Sequence, residues 1–272
     1  MVLNNRSDII TANSNPKIKM LNKLNKDSRL RRERDVFIVE GIRMFREIPP
    51  DRVEEIYMSE TAYMEFGGDE KLQKLYRAAD VTIVSDSVFA TVSQTKTPQG
   101  CMAVVKCFHY DMAEIVGKKD IETYLILDMI QDPGNMGTIL RSAEAAGVTA
   151  VIAGPGSCDP YNPKVVRATM GAIFRVPFVQ SNDLVETIGR LKESGVVVYG
   201  AHLDGEDLYD TRFPDRIAFL IGNEGNGLSE DVAETSDRLL RIPMEGRVES
   251  LNAAISATLL SYEAMRQRKI KK

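Results

Sequence analysis

The chain of 272 residues is 43% hydrophobic and 27% charged, and its net charge at neutral pH is −4. This length and composition are typical of a globular protein with one large domain or two ordinary ones. The longest apolar runs have the length of strands, far below the ~20 residues of a membrane span, and the N-terminus lacks the apolar segment of a signal peptide. We therefore expect a soluble, cytoplasmic protein without membrane association.

Cysteine and histidine residues are few and widely spaced. The cysteines are Cys101, Cys107 and Cys158, and the histidines are His109 and His202. They show neither C-x-x-C spacing nor the Cys/His cluster of a zinc site. The sequence therefore predicts no bound metal and no disulfide framework, and it gives little support to thiol or Ser–His nucleophilic chemistry.

The first predicted element is a basic helical segment, residues 16–34, with eight Lys and Arg residues against two acids. Such a run is either a solvated helix face or a surface that binds nucleic-acid phosphates with a steep salt dependence. The whole chain is acidic, so only a local cluster supports the second interpretation. The candidate phosphate-binding residues are Lys17, Lys19, Lys23, Arg29, Arg31 and Arg32, and Lys26 lies in the same run.

Strand and helix patterns alternate in the residues that follow. The predicted strands are VFIVE, VEEIYMS, VTIVS and CMAVVKCF, and a helix is predicted near residues 41–48. This alternation predicts a small α/β domain over residues 1–107. The polar segment HYDMAEIVGKKDIE then interrupts the apolar pattern, which predicts a linker over residues 108–120.

A second α/β domain is predicted over residues 121–272. Strand-sized apolar runs alternate there with helical segments, which favours βαβ units and a largely parallel, buried sheet. Ligands bind outside the carboxyl ends of such strands. Three polar segments that contain glycine follow strands at this edge, DPGNMGTILRSAEAAG, GNEGNG and EGRVESLN. We expect these segments to share one pocket.

The first of the three segments begins a helix. Apolar residues at helical spacing predict a buried stripe formed by Met136, Ile139, Leu140, Ala143 and Gly147. This pattern leaves Asn135 at the helix cap and Arg141 on the flank. Arg141 is either a surface cation or a group that reaches back about 9 Å along the helix and holds a phosphate with its planar guanidinium.

The second segment, IGNEGNGLSED, favours a tight turn because Gly225 and Gly227 tolerate positive φ. It matches neither the dinucleotide fingerprint G-x-G-x-x-G nor a phosphate-binding loop, so a dehydrogenase or a kinase would lack its motif. Glu224 lies between glycines at the mouth of the sheet, where an acid is costly unless another group orders it.

The third segment leads into the helical pattern of residues 247–267, RVESLNAAISATLLSYEAMRQ, whose entry carries Glu249, Ser250 and Asn252. Ser250 precedes the apolar run as an ordinary N-cap residue. Asn252 is a poor helix former that the pattern places inside the first turn, beside backbone donors that one cap does not satisfy. The polar entry is therefore either structural or part of a site.

Together the three segments resemble the SpoU-type (TrmH-family) RNA ribose 2′-O-methyltransferases of the SPOUT superfamily. The first family motif, N-x-G-x-x-x-R-x-A-x-x-x-G, matches Asn135 to Gly147. The second, G-x-E-x-x-G, matches Gly222 to Gly227, and the third, P-x-x-G-x-x-x-S-L-N, matches Pro243 to Asn252. RRERDVFIVEG and TPQGCMAVV resemble the ribosomal-protein-like substrate-binding domain of the family, so the resemblance covers nearly the whole chain.

The resemblance implies an α/β fold in which a C-terminal parallel-sheet methyltransferase domain with a deep trefoil knot follows a small α/β substrate-binding domain. It implies S-adenosyl-L-methionine as the cofactor and RNA as the ligand of the basic residues. The implied catalytic residues are Asn135, Arg141, Glu224, Ser250 and Asn252. The implied cofactor-binding residues are His202, Leu203, Gly222, Asn223, Gly227, Ile242, Met244, Ser250 and Leu251.

Two further expectations concern partners and chemistry. The last helix is apolar nearly all round, which favours burial on both faces, and the resemblance implies a homodimer that covers one of them. Transfer of a methyl group to a ribose hydroxyl also releases a proton. Arg141 is the nearest candidate acceptor; a guanidinium is a poor base, so it alternatively holds a phosphate.

The RNA substrate is favoured to be ribosomal RNA over transfer RNA, because the N-terminal domain resembles a ribosomal protein. A methylase that confers antibiotic resistance is one form of this expectation. The alternative class is a protein that binds RNA without catalysis. Binding of the cofactor would separate an enzyme from such a protein.

Overall fold

A computed structural model describes residues 9–223, 225–248 and 250–270 of the chain. These residues form two compact units. One unit contains the described residues up to Phe108 together with Tyr161–Phe174, and the other contains His109–Pro160 and the described residues from Arg175 onward. Both are built from helices and β-sheet, so the expected α/β fold class is confirmed.

The first unit is built on a four-stranded sheet. Its strands are β1 (Val36–Glu40), β2 (Val53–Ser59), β3 (Val81–Val84) and β4 (Cys101–Lys106). They are arranged in the order β1-β4-β2-β3, in which β4 pairs antiparallel with both neighbours and β3 pairs parallel with β2. The helices are α1 (Pro16–Lys26), α2 (Ser28–Arg34), α3 (Ile42–Phe45), α4 (Glu60–Phe66), α5 (Gln73–Ala78) and α6 (Asp86–Val92).

The basic helical segment consists of two helices, α1 and α2. Asp27 separates them with an extended backbone (φ −105°, ψ 104°), and its carboxylate caps α2 by accepting hydrogen bonds from the N–H groups of Arg29 and Leu30. The apolar face of α1 packs into the core of the unit, among buried side chains that include Ile18, Leu21, Leu24, Ile38 and Met102. The opposite face of α1 is left to solvent.

The second unit is built on a six-stranded sheet. Its strands are β5 (Glu122–Leu127), β6 (Ala150–Ala153), β7 (Phe178–Gln180), β8 (Val197–Asp207), β9 (Arg216–Ile221) and β10 (Arg238–Arg241). Their order is β10-β8-β9-β5-β6-β7, and every neighbouring pair is parallel. The predicted parallel sheet is therefore confirmed. Every residue of β5 is buried, as expected for a central strand covered on both faces.

The helices of the second unit cover this sheet. They are α7 (Met112–Ile115), α8 (Pro133–Ala146), α10 (Leu184–Glu193), α11 (Glu230–Glu234) and α12 (Ala253–Ile270). α8 and α12 pack against each other. One further helix, α9 (Pro163–Ala168), lies in the segment that belongs to the first unit, where it packs against β1.

The segment expected to be a linker contains α7, and Met112, Ile115 and Val116 pack against the core of the second unit. The chain also returns to the first unit at Tyr161–Phe174 before it completes the second. The division into domains 1–107 and 121–272 joined by 108–120 stays a prediction.

The carboxyl ends of the parallel strands lie at one edge of the six-stranded sheet. The segments that follow β5, β8, β9 and β10 all leave from this edge, and these four strands are neighbours. The three polar glycine-containing segments are therefore brought to the same place. Within residues 9–223, 225–248 and 250–270, no helix is both long enough and apolar enough to cross a bilayer.

Candidate active site

A cavity of about 500 Å³ lies at the carboxyl edge of the six-stranded sheet. Its walls come from the end of β8, the loop after β9, the segment after β10 and the start of α12. All nine residues predicted to bind the cofactor line it, namely His202, Leu203, Gly222, Asn223, Gly227, Ile242, Met244, Ser250 and Leu251. Two of the three glycine-containing segments thus contribute directly to one cavity.

The loop after β9 forms one wall through residues 222–223 and 225–228, which are called the glycine loop here. The backbone groups of Asn223 and Gly227 exchange two hydrogen bonds of 2.9 Å, and the Asn223 side chain accepts a third from the N–H of Gly225 at 2.8 Å. Gly227 has a φ of +69°, which glycine adopts without strain. Glu224, predicted to be catalytic, lies outside the described residues.

Gly222 is placed where only glycine fits. A Cβ at this position would lie 2.2 Å from the backbone carbon of Gly227 and 2.3 Å from the nitrogen of Leu228. Neither backbone atom can move without displacing the loop. The missing side chain therefore lets the two strands of the tight loop approach each other beside the cavity.

Asn252 caps the last helix, which corrects the sequence interpretation. α12 starts at Ala253, and Asn252 Oδ1 accepts hydrogen bonds from the N–H groups of Ala254 at 3.0 Å and Ile255 at 3.3 Å. Ser250, expected to be the N-cap residue, lies two residues before the cap and lines the cavity instead. The apolar pattern located the helix, but it did not distinguish between neighbouring polar residues as the cap.

The start of α8 requires a similar correction. Its N-cap is Asp132, whose Oδ1 accepts from the N–H of Asn135 at 2.8 Å, so Asn135 lies in the first turn and not at the cap. Asn135 Oδ1 accepts a hydrogen bond of 2.9 Å from Asn252 Nδ2. Two predicted catalytic residues, 117 positions apart, are therefore in direct contact. Because Leu251 and Ala253 line the cavity, this pair adjoins it.

Arg141 lies two turns further along α8 and its side chain is exposed. It is not among the residues that line the cavity. The predicted inward stripe is confirmed at Met136, Ile139, Leu140 and Ala143, which are fully buried. Gly147 is not part of it; this residue is exposed and ends the helix with a φ of +70°.

The end of β8 carries two exposed cavity residues. His202 Nδ1 accepts a hydrogen bond from the N–H of Asp204 at 3.2 Å, which fixes a short turn. Leu203 is 53% exposed although it is apolar. An exposed leucine beside a cavity is available to cover an apolar ligand surface.

The cavity has the size and chemistry to hold S-adenosyl-L-methionine. Small-molecule sites are typically about 300–1,000 Å³. Leu228, Leu240 and Ile242 provide apolar surface suited to an adenine ring, while the glycine loop and Ser250 provide polar groups. The close approach of backbone at Gly222 keeps side chains out of this wall.

Burial makes thiol chemistry unfavourable at Cys101 and Cys158. Burial raises the pKa of the Cys101 thiol to about 12 and that of Cys158 to about 11. Both are therefore protonated and poorly nucleophilic at neutral pH. In the part of the chain that the structure describes, no group of three or more His, Cys, Asp or Glu side chains is arranged to hold a metal ion.

Comparison with known protein families shows which family shares this sequence and architecture. The SpoU rRNA methylase family matches residues 122–262, and an MRM3-like substrate-binding domain matches residues 15–103. The 23S rRNA (guanosine(2553)-2′-O)-methyltransferase RlmP of Bacillus subtilis is 32% identical over 256 residues, which cover 93% of this chain and 97% of that protein. This chain belongs to the SpoU rRNA methylase family.

Other relatives are similar to this SpoU-family chain in sequence or structure along most of its length. The 23S rRNA (guanosine-2′-O-)-methyltransferase RlmB of Shewanella oneidensis is 30% identical over 244 residues, covering 86% of this chain and 97% of that one. The crystal structure of an AdoMet-bound rRNA methyltransferase from Sinorhizobium meliloti is 30% identical and superposes with a TM-score of 0.83 over 94% of this chain and 97% of that chain. The fold of both units is thus shared with solved members of the family.

The basic residues predicted to bind RNA lie on the substrate-binding unit of the SpoU-family chain. Lys19, Lys23 and Lys26 are exposed and follow one another at helical spacing on the outer face of α1. Lys17 donates to Thr82 Oγ1 at 3.1 Å, and Arg29 forms an ion pair of 2.8 Å with Glu33. We call Lys19, Lys23 and Lys26 the lysine stripe.

Arg31 does not belong to an RNA-binding surface, which corrects its assignment. It is 3% exposed, and its guanidinium donates to the backbone oxygen of Leu24 at 2.8 Å. This buried hydrogen bond connects α2 to α1. Arg32 is exposed on the same helix. The charge count predicted a cationic surface but did not distinguish an interior arginine from an exterior one.

Sequence reasoning missed three residues that shape this site, Asp128, Met129 and Asp132. Asp132 stands before a proline at the first helical position, a pattern typical of an N-cap, and this signal was available. Met129 has a φ of +56°, which no pattern in the sequence indicates. Asp128 is buried at the end of β5, where its carboxylate accepts a hydrogen bond from a residue far away in the chain.

Proposed function

We propose that this chain is an S-adenosyl-L-methionine-dependent methyltransferase that methylates a ribose 2′-hydroxyl in structured RNA, with ribosomal RNA as its substrate. Membership of the SpoU rRNA methylase family and full-length relatives named as rRNA 2′-O-methyltransferases support this activity. The observation that carries it is the convergence of the nine residues predicted to bind the cofactor on one cavity, with the Asn135–Asn252 pair adjoining it.

When bound, S-adenosyl-L-methionine supplies an electrophilic methyl group on a positively charged sulfur. The glycine loop and the segment after β10 would hold it from two sides and keep water away. The remaining task of the protein is to bring a ribose oxygen into line with the methyl group. Orientation of this kind depends on walls of fixed shape, and the hydrogen bonds within the glycine loop define the shape of one.

Ser250, Asn135 and Asn252 would organise the end of the cavity at which RNA enters. The hydroxyl of Ser250 can donate to or accept from a bound ligand. The hydrogen bond between Asn252 and Asn135 fixes the orientation of both amides and links the starts of α8 and α12. These polar groups are therefore positioned before either substrate arrives.

Arg141 would position the RNA. Its guanidinium is planar and always charged, so it can hold a phosphate with two parallel hydrogen bonds while it faces the neighbouring ribose hydroxyl. Its exposure on α8 leaves it accessible to a large ligand. In this role Arg141 aligns the nucleophile and stabilises charge that develops in the transition state.

Cofactor binding is the first test of the proposal. Calorimetry should show that the full chain binds S-adenosyl-L-methionine without added metal, and that Gly222→Ala abolishes binding because its Cβ would displace the loop. Gly189→Ala is the matched control, since a Cβ there meets nothing within 4 Å. Equal affinity of the Gly222→Ala variant, or no binding by the natural chain, would contradict the proposed site.

We further propose a homodimer in which the exposed side of α12 packs on a second copy. Ile255 is 50% exposed and Tyr262 is 42% exposed on this helix, while its other side is buried against the unit. Exposed apolar side chains that form a row on one helix favour association. Light scattering should give twice the chain mass of 30.3 kDa; a monomer at micromolar concentration would contradict the dimer.

The C-terminal trefoil knot and a cytoplasmic location complete the proposal. The segment after β10 and the glycine loop line the same cavity, and the chain then crosses to α12, which packs on α8. This close passage of two segments is consistent with the knot implied by the family. The proposed location is supported by the relatives named as rRNA methyltransferases, which are bacterial proteins, because ribosomal RNA is a cytoplasmic molecule in bacteria.

A further inference from the structure

The exit of β5, residues 128–130, holds the glycine loop in place, although none of these residues lines the cavity or belongs to the three motifs. Asp128 is 5% exposed, and its Oδ2 accepts a hydrogen bond of 2.7 Å from the N–H of Ser229. Ser229 directly follows the glycine loop and precedes α11. A buried carboxylate that accepts from a backbone N–H forms a strong, charge-assisted bond.

Met129 makes the second connection. Its carbonyl oxygen accepts a hydrogen bond of 3.0 Å from Asn223 Nδ2, at the other end of the glycine loop. Met129 achieves this with a φ of +56°, a left-handed conformation that is unfavourable for residues with a side chain. Strain of this kind persists only where surrounding contacts determine the backbone.

Those contacts are present at the next residue. The N–H of Ile130 donates to Ser157 Oγ at 3.2 Å, and its carbonyl oxygen accepts from the N–H of Cys158 at 2.8 Å. Ile130 is itself fully buried. The strained backbone at Met129 is therefore held between the rigid strand β5 on one side and these two hydrogen bonds on the other.

The glycine loop needs such external support. Its three glycines have wide conformational freedom, so the loop gains little stiffness from its own sequence. The hydrogen bonds between Asn223 and Gly227 define its internal shape but do not fix its position relative to the sheet. Asp128 and Met129 each accept one hydrogen bond that connects the loop, or the residue directly after it, to the exit of β5. These bonds add to the one that the N–H of Asp128 donates to the carbonyl oxygen of Ile221, just before the loop.

We propose that Asp128 and Met129 are positioning residues of the methyl-donor site, which hold the glycine loop at the height above the sheet that the cofactor requires. This inference rests on the proposed function of the cavity. The same strand exit leads within a few residues to Asp132, the cap of α8. The glycine loop and α8, the helix that carries Asn135 and Arg141, are therefore both held by the segment that follows β5.

The test compares full-length variants at each connection. Asp128→Ala removes the acceptor for Ser229, whereas Asp128→Asn retains a neutral oxygen and should rescue in part. Met129→Val retains the carbonyl group, but a β-branched residue disfavours the left-handed backbone. Met129→Gly adopts it freely and should therefore be far less affected than Met129→Val. Met170→Val is the matched control, because Met170 also has a positive φ, +50°, but belongs to the first unit.

Calorimetry at a temperature where each variant is folded should show that Asp128→Ala and Met129→Val raise the dissociation constant of S-adenosyl-L-methionine about tenfold. Asp128→Asn should fall between Asp128→Ala and the natural chain. The affinity for RNA should stay within twofold, because the lysine stripe is untouched, and Met170→Val should leave both affinities unchanged. A purely structural role would instead lower the melting temperature and leave the dissociation constant of the folded fraction unchanged.

The inference would be overturned if folded Asp128→Ala and Met129→Val bound S-adenosyl-L-methionine as tightly as the natural chain does. It would also be overturned if Met129→Gly and Met129→Val lost equal amounts of affinity for S-adenosyl-L-methionine. If Asp128→Ala does not fold, the milder Asp128→Asn tests the bond to Ser229, and the comparison between Met129→Gly and Met129→Val tests the backbone at Met129. Failure of the proposed function gives a different result, in which the natural chain itself does not bind the cofactor.

Discussion

At the residue scale, Asn252 combines two hydrogen-bonding roles in one side chain. Its oxygen caps α12, and its amide nitrogen donates to Asn135 on α8. The first role accounts for an asparagine at this position without any function. The second role connects two helices at the edge of the cavity, which a cap alone does not require.

Replacement of Asn252 by Ala should lower both cofactor affinity and methyl-transfer rate. Loss of the cap costs about 1 kcal/mol of stability, and loss of the bond to Asn135 releases the start of α12 beside the cavity. Asn135→Ala is the matched control, since it removes the same bond but leaves the cap intact. Calorimetry and thermal unfolding of both variants separate the two roles; full cofactor affinity in Asn252→Ala would assign Asn252 to the cap alone.

Arg141 should contribute to the rate and not to cofactor affinity. Arg141→Ala should reduce single-turnover methyl transfer at saturating RNA and cofactor about 100-fold or more, because the lost interaction exists mainly in the transition state. Arg141→Lys should rescue poorly, since an ammonium lacks the planar fork. Arg190→Ala removes an exposed arginine from α10 and serves as the control. A rate for Arg141→Ala within a few-fold of the natural chain would make Arg141 an ordinary surface cation.

At the element scale, Glu122 attaches the segment before β5 to the sheet. Its side chain is fully buried and accepts hydrogen bonds from the N–H groups of Gly117, Lys118 and Lys119 and from the hydroxyl of Tyr124, at 2.8–3.1 Å. Burial by itself opposes the charged form, but these four donors outweigh it and lower the pKa of Glu122. Part of the predicted linker is thereby fixed to the second unit.

This arrangement gives a pH-dependent contribution to stability. Because the pKa of Glu122 is lower in the folded chain, its stabilisation is complete above the unfolded carboxyl pKa of about 4.5 and is lost as the pH falls below it. Glu122→Gln should lower the free energy of unfolding at pH 7 by about 2 kcal/mol and flatten its decline in acid. Glu186→Gln, on an exposed ion pair, is the control. Denaturant unfolding between pH 3 and pH 7 checks this, and an unchanged acid profile in Glu122→Gln would contradict it.

The sequence predicted the central strands well because β5, β6 and β9 are largely buried, so each contains an apolar run, YLIL, AVIA and IAFLI respectively, between polar segments. It predicted the cavity residues through the motif resemblance. It did not predict that Asn252 caps α12, since Ser250 and Asn252 are equally plausible caps by residue type. At α8 the proline after Asp132 did indicate the cap. The left-handed Met129 and the interior Arg31 follow from tertiary contacts that no local pattern encodes.

At the scale of the whole molecule, the proposed cofactor binding and the proposed RNA binding belong to different units. The cavity lies in the second unit, and the lysine stripe lies in the first. Deletion of residues 1–107 would leave Tyr161–Phe174 without the unit in which it packs. Point variants of the full chain are therefore the appropriate way to separate RNA binding from cofactor binding.

Replacement of Lys19, Lys23 and Lys26 together by Ala should weaken binding of ribosomal RNA and reduce the slope of its salt dependence by about 2 to 3, as expected for three lost phosphate contacts. Cofactor affinity should be unchanged. The control replaces Lys71, Lys74 and Arg77, three exposed cations on and beside α5 of the same unit. Filter binding at several salt concentrations checks this; equal loss in both triple variants would show that net charge, and not the stripe, is responsible.

The most direct test of the proposed activity is methyl transfer to defined RNA. The purified chain is incubated with isotopically labelled S-adenosyl-L-methionine and ribosomal RNA from cells that lack its gene, and the digested RNA is examined by mass spectrometry. We predict that the label appears on a ribose 2′-oxygen at a discrete position, that Arg141→Ala strongly reduces it, and that transfer RNA is a poor acceptor. Label on a base, or no transfer by a chain that binds both RNA and cofactor, would contradict the proposed activity.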